Sequence, residues 1–204
     1  MEALNPVQRR IHQAALRLFA EKGVNQVNIS DLAQEAGVAR GTIYNNVESI
    51  EQLFQQVASQ LSKEMHLRVS KSFADVQDPA QRLANGIRFF IRRTHEEPQW
   101  GTFFSRFAMS DSSLREMFYS QATVDLMSGL QVGRYQFRQE QMVSVISMIS
   151  GSTLTAMFLV IEGLKTWRDA GSDTAEFILR SLGLTSEEAR SLATAELPPL
   201  PALD

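Results

Sequence analysis

Six of the seven residues from 40 to 46, namely Arg40, Gly41, Thr42, Tyr44, Asn45 and Asn46, form a polar and aromatic set suited to phosphate oxygens and base edges in a major groove. The chemistry is recognition rather than bond making. Arg40 and Asn45 can meet base edges with paired hydrogen bonds, and Gly41 lets the backbone approach closely.

Such a set works only if a helix presents it. Counting from Ile29, a small residue stands fifth (Ala33), a glycine ninth (Gly37) and a β-branched apolar residue fifteenth (Ile43), the spacing a helix-turn-helix needs. Ala33 permits two helices to cross closely, Gly37 ends the first helix in a left-handed conformation, and Ile43 plugs the second into the core. Asn28 or Ser30 supplies the N-terminal cap, and Ser30 joins the candidate DNA contacts. Two short helices joined at a glycine could also be a plain αα-hairpin, but the three spaced positions, the cap and the polar outer face together favour DNA binding.

The surrounding residues resemble the N-terminal domain of the TetR family of bacterial repressors. The resemblance covers residues 10–53 and is carried by Arg10-Ile11, Ala14-Ala15, Leu18-Phe19-Ala20-Glu21-Lys22-Gly23, Ile29, Asp31-Leu32-Ala33, Ala36-Gly37-Val38, Gly41-Thr42-Ile43-Tyr44 and Glu51-Gln52-Leu53. It implies that Thr42 and Tyr44 hold phosphates, that a fourth helix connects the DNA-binding and effector parts, and that subunits pair through the last two long helices. Two positions depart from the family pattern. Ile50 stands where a lysine commonly reaches the DNA backbone, and Val47 where an aromatic residue is usual. The lysine contact is therefore not carried over, and Ser49 is the substitute at hand.

The chain has 204 residues, 44% of them apolar, no cysteine and a net charge of −3. Disulfides and thiolate metal sites are excluded, and a cytoplasmic location is expected. The longest unbroken apolar run, residues 156–161, falls far short of a membrane span of about 18 residues, and no basic-then-apolar leader opens the chain. Residues 1–50 balance Arg9, Arg10, Arg17, Lys22 and Arg40 against Glu2, Glu21, Asp31, Glu35 and Glu48. A binding end without net positive charge gains little from counterion release, so two copies are expected on the DNA.

Residues 6–22 read as an amphipathic helix with Pro6 in its first turn and Gly23 as its stop, and Arg9 and Arg10 lie near its start. Ser49 caps a connecting helix that should run to about residue 76, with Leu53, Phe54, Val57, Leu61 and Met65 on one face. Beyond it, helices are expected over residues 79–95, 100–109, 112–132, 139–167 and 173–182, with Gly171 as a break, and a last one from Thr185. The proline-rich end, residues 196–201, should be extended and lie over its own domain. The expected fold is all-α: a three-helix DNA-binding domain over residues 1–47 and a helical effector and dimerisation domain over 48–204, of which 48–76 is the connector.

His12, His66 and His95 fall far apart without carboxylates at ligand spacing, and there is no nucleophile elbow, phosphate loop or dinucleotide fingerprint. No enzyme, metal or cofactor is expected. Phe90, Trp100, Phe104, Phe107, Phe118, Met127, Met148 and Phe158, with Glu162 as a polar member, are the candidate lining of an apolar ligand site between helices. Arg92, Arg93, Arg106 and Tyr119 are further polar candidates. Together these imply a homodimeric repressor, paired through residues 139–167 and 173–182, released from a palindromic operator by a small, largely apolar ligand. The rivals are a DNA-binding protein of the same fold without a ligand, and an enzyme or adaptor that keeps the helix-turn-helix as scaffold.

Overall fold

The structure, a computed structural model, describes residues 4–73 and 75–201, and for Phe118 the backbone alone. Among the described residues ten α-helices and two 3-10 turns carry the regular structure, and no strand occurs.

The first three helices are α1 (Pro6–Lys22), α2 (Ile29–Ala36) and α3 (Arg40–Tyr44), with a 3-10 turn at Val24–Gln26. Asn5 and Gln8 close a capping box at the start of α1, and Gly23 ends it at φ 82°. The side chain of Asn28 accepts from the amides of Ser30 and Asp31, so Asn28 is the cap of α2 and Ser30 lies in its first turn. Gly37 takes the left-handed conformation (φ 62°, ψ 42°) that the spacing required. Ile11, Ala15, Phe19, Leu32, Ala33 and Ile43 close the small core between them.

The connector α4 (Ile50–Ser72) is capped by Ser49, whose hydroxyl accepts from the Gln52 amide. It ends four residues before the expected boundary because Phe73 turns inward, where its ring lies 6.1 Å from that of Phe89. The remaining helices are α5 (Pro79–Glu96), α6 (Pro98–Phe107), α7 (Ser112–Gln131), α8 (Met142–Ile161), α9 (Trp167–Ser181) and α10 (Ser186–Thr194); α4 packs on α1 and α7, and α5 on α6, α7, α8 and α9. One apolar core runs without interruption from Ile11 in α1 to Ala193 in α10.

Two expected elements are corrected. The helical pattern of residues 139–167 is broken after Ile161: Gly163 is left-handed (φ 67°), and the Thr166 hydroxyl accepts from the Asp169 amide to begin α9. Leu164 keeps the helical spacing of the apolar residues within that turn although it is exposed, so periodicity alone did not reveal the break. Gly171, expected as a break, lies inside α9 and is buried. A Cβ there would come within 3.3 Å of Arg88 Cγ, so this glycine serves the close approach of α5 and α9.

The proline-rich end lies over the connector. Ser72 donates to the Pro199 carbonyl at 3.0 Å and Arg68 to that of Pro201 at 3.0 Å, while Leu197 and Leu200 rest on the core. Beneath it, Glu64 and Arg68 of α4 interlock with Arg93 and Glu97 of α5's C-terminal end through four contacts of 2.7 to 3.2 Å. Arg93 sits over the Trp100 ring at 4.5 Å.

Candidate nucleic-acid interface and effector cavity

On α3 the side chains divide as the spacing required. Ile43 is wholly buried, whereas Arg40, Gly41, Tyr44 and Asn45 are exposed, Tyr44 to 68% despite its size. A Cβ at Gly41 would meet nothing within 4 Å, so the surface there is open to a backbone or base. Thr42, Asn46 and Ser30 are half-buried. Asn46 is engaged, its amide donating to the Thr42 carbonyl at 2.8 Å and closing the end of α3. Arg40 and Arg9 have no ion-pair partner among the described residues, which leaves both free to meet phosphate.

Other charges of this head are spent on its own folding. Arg10 donates to the Ala36 and Gly37 carbonyls at 2.7 Å each, tying α1 to the end of α2. Arg17 pairs with Glu35 at 3.1 Å and Lys22 with Asp31 at 3.3 Å, so these two acids of α2 are neutralised within the head. His12 bonds Gln60 of α4 at 2.8 Å, and burial holds its imidazole below the usual histidine range.

A cavity of about 50 Å³ lies between α4, α5, α7 and α8. Met65, Val69 and Phe73 close it on one side, Leu83, Ile87 and Phe90 on another, and Met117 and Ile149 complete the apolar wall. Arg82, Gln121, Asp125, Thr153 and His66 are its polar members. Asp125 is 1% exposed; Arg82 Nε donates to its Oδ1 at 2.6 Å, and Gln121 reaches both oxygens at 3.3 Å. Burial pushes the Asp125 carboxyl above the usual carboxylate range in spite of the guanidinium beside it.

The family model for the "Tetracyclin repressor-like, C-terminal domain" matches residues 78–195, more than half of the chain, and that for "Bacterial regulatory proteins, tetR family" matches residues 11–57. The chain belongs to the TetR family. The match over residues 11–57 spans most of α1 and all of α2 and α3.

Among solved structures of TetR-like folds, RolR in complex with resorcinol is 27% identical, with a TM-score of 0.73 and 96% of each chain covered. FadR from Bacillus halodurans, at 19% identity and a TM-score of 0.73 over 90% of this chain and 100% of its own, shares the fold. Among curated proteins, an uncharacterised HTH-type transcriptional regulator of Mycobacterium tuberculosis is 28% identical over 47% of this chain and 48% of its own. A probable acrEF/envCD operon repressor of Escherichia coli K12 is 26% identical over 56% of this chain and 54% of its own. The chain thus spans about half the length of the curated relatives it matches.

In this TetR-family chain the sequence-predicted ligand residues do not gather at one place. Among those whose side chains are described, Phe90 alone lines the cavity. Trp100 and Phe104 are 1% and 0% exposed, stacked on each other at 5.0 Å and closed off as core. Phe107 borders a separate, wider cleft of about 690 Å³ beside the end of α1. Met127 lies on the outside of α7, Met148 and Phe158 lie on the outside of α8, Phe158 to 51%, and Glu162 is exposed just past the end of α8. Phe118's side chain is outside the described residues. Of the further polar candidates, Arg93 belongs to the charge cluster, Arg92 pairs with Glu96 at 2.7 Å, and Arg106 holds carbonyls of α1. Tyr119 is partly buried against the core and does not line the cavity.

The polar members that sequence reasoning missed carry a signal of their own. Met117, Gln121 and Asp125 repeat at four-residue steps, so an inward stripe of α7 ends on an amide and an acid. A polar pair on a buried stripe needs an explanation that a solvated face does not.

On α8, Val143, Met148 and Phe158 share an exposed face with Ser144, Ser147, Gly151 and Thr155, and a Cβ at Gly151 would meet nothing within 4 Å. Phe177 of α9 is 64% exposed. The stretch Gln139–Ile161 is long and apolar enough, by length and composition, to cross a bilayer. The unbroken-run criterion missed this because serines, threonines and one glycine interrupt the run without making the helix polar.

Proposed function

We propose that the protein is a homodimeric repressor whose two recognition helices bind a palindromic operator in the cytoplasm and release it when a small, largely apolar ligand enters the cavity between α4, α5, α7 and α8. The domain division follows: residues 1–47 bind DNA, and residues 48–204 sense the ligand and pair the subunits. Arg40, Gly41 and Asn45 read base edges; Thr42 and Tyr44, helped by Ser30 in the first turn of α2, hold phosphates. Asn46 shapes α3 rather than reading DNA.

The observation that carries this reading is the unbroken packing from cavity to head. Phe90, on the cavity wall, lies 5.5 Å from Phe104 of α6, and α6 also carries Phe103 and Phe107, which lie 5.6 and 4.9 Å from Phe54 of α4. Phe54 in turn meets Phe19 of α1 edge-on at 5.6 Å. A ligand that displaces Phe90 therefore presses on α6 and α4 together, the two elements that hold the head. Such a ligand shifts the equilibrium only by its differential affinity for the two arrangements.

The exposed apolar face of α8 and α9 supports pairing. An apolar helix studded with serine, threonine and glycine suits close packing against a second copy, which gives operator half-sites their two-fold symmetry. RolR, a relative, was solved with resorcinol, a single-ring compound, and supports a ligand of that size.

Footprinting on DNA upstream of the protein's own gene tests the reading. A protected palindrome that is lost on adding a compound that binds the protein is expected. A palindrome indifferent to every bound compound would favour the ligand-independent regulator. The cavity's modest volume, well below the 300 Å³ or more of ordinary ligand sites, supports that second reading.

A further inference from the structure

We infer that Asp125 and Gln121 form a hydroxyl-reading end to the cavity, which selects a neutral, single-ring hydroxylated compound over its deoxy, cationic and anionic analogues. The inference rests on the cavity being the effector site and names the chemistry that the site accepts.

Most of the wall is apolar, and among its polar members the Asp125 and Gln121 groups of α7 stand unevenly satisfied. Asp125 is buried, yet only its Oδ1 receives a short bond, from Arg82 at 2.6 Å; Oδ2 has just the long contact from Gln121 at 3.3 Å. A carboxylate has about four acceptor positions, and a buried one left short of donors is costly. A donor arriving from the cavity supplies what the protein does not. The Gln121 amide, held at 3.3 Å by either oxygen, is free to turn and donate to the newcomer's oxygen. A hydroxyl, donor and acceptor on one atom, matches both demands.

Charge excludes the alternatives. Arg82 already balances Asp125, so the pair is neutral as it stands. An ammonium would leave a net positive charge in an apolar cavity, and a carboxylate would face Asp125 directly, and either costs more than a neutral group there. Size sets the body of the ligand. About 50 Å³ beside Phe90, Met65 and Ile149 is well short of the roughly 150 Å³ that holds a benzene ring, so a single ring enters only as the wall yields, and a long acyl chain or a multi-ring dye is excluded.

The test is calorimetric titration of the full chain with p-cresol, p-xylene, benzylammonium and benzoate, each followed by an operator-binding assay. Exchange of the hydroxyl for a methyl group, p-cresol to p-xylene, is expected to weaken binding at least tenfold, with benzylammonium and benzoate weaker still. Gln121→Leu leaves the Arg82–Asp125 pair intact and should shrink the hydroxyl preference several-fold; Asp125→Asn should nearly abolish it. Equal affinity for p-cresol and p-xylene overturns the inference, as does a preference that survives both substitutions. Release of the operator by other compounds while none of the four binds overturns it too, yet leaves the ligand-responsive reading standing. Hydroxyl-selective binding that leaves the operator complex untouched supports the inference and removes the ligand-responsive reading instead.

Discussion

The guanidinium of Arg106, on α6, donates to the main-chain oxygen of Ala20 at 3.1 Å and to that of Glu21 at 3.2 Å, so a residue of the effector half caps the C-terminal end of α1. Gly23 makes room for it: a Cβ there would come within 2.8 Å of the same guanidinium. The joint is thus a cation at the negative end of a helix, fixed by two carbonyls.

Arg106→Ala should leave ligand-free operator affinity within a few-fold of the parent and blunt the response to ligand, because α6 would then move without drawing α1 along. Thermal stability should fall by no more than about 1 kcal/mol, since the group is exposed. Operator titrations with and without ligand check this, and an undiminished response would show that Phe54 alone transmits the movement.

Tyr44→Phe should weaken binding to all DNA sequences by about 1 kcal/mol, the scale of one hydrogen bond. Arg40→Ala and Asn45→Ala should instead change which sequence is preferred, by roughly 1 to 3 kcal/mol per paired contact. Asn46→Ala loses its bond to the Thr42 carbonyl and should lower the melting temperature without changing preference. Selection on a randomised operator separates the three outcomes.

Phe158→Asp and Phe177→Asp place a charge on an apolar face that is exposed in the single chain. Sedimentation at micromolar concentration should give twice the chain mass for the parent and one chain mass for these variants, with helix content unchanged. A parent that sediments as a monomer would remove the proposed interface and the two-fold operator with it.

Arg88 is 8% exposed, and it has no hydrogen-bond acceptor among the described residues; its Nη1 is fully buried, and burial lowers the guanidinium's affinity for its proton. Arg88→Met should therefore raise stability, by about 1 kcal/mol or more. Chemical denaturation measures it. A loss of stability would mean that the assembled dimer supplies an acceptor.

Asp78 caps α5 and accepts from Arg134 Nη2 at 2.8 Å and Nε at 3.1 Å. Burial alone would raise its carboxyl, but the bonds from Arg134 and the Ala80 amide and the nearby positive charges outweigh it and hold the group below its ordinary 3.8. Glu97 is held below its ordinary 4.5 in the same way by Arg93 and Arg68. A carboxyl lowered by folding adds stability that is present above the unfolded value and is lost as pH falls through the folded one. The melting temperature should therefore drop as the pH falls below about 4, and Asp78→Asn should lower it at pH 7 and flatten its pH dependence.

The helix-turn-helix was legible in the sequence because its rules are local. A small residue at a crossing, a left-handed glycine and an apolar plug act within fifteen positions, and Asn28, Ala33, Gly37 and Ile43 take those parts in the structure. The capped starts at Ser49 and Thr185 were legible for the same reason, as was the extended end.

The tertiary structure alone decided where the ligand chemistry lies. Aromatic and Met residues at helical spacing say that one face is apolar, but not what that face meets: for Trp100 and Phe104 it is the closed core, for Phe90 a cavity, and for Met148 and Phe158 the outside of the chain. Arg82 and Asp125 stand forty-three positions apart, and only the packing of α5 against α7 brings them to 2.6 Å. Local sequence rules fix which residues form a helix and where it stops, because backbone hydrogen bonds close within four residues. A cavity and its polar end arise from side chains on four helices, and their meeting is set by packing that no single stretch of sequence encodes.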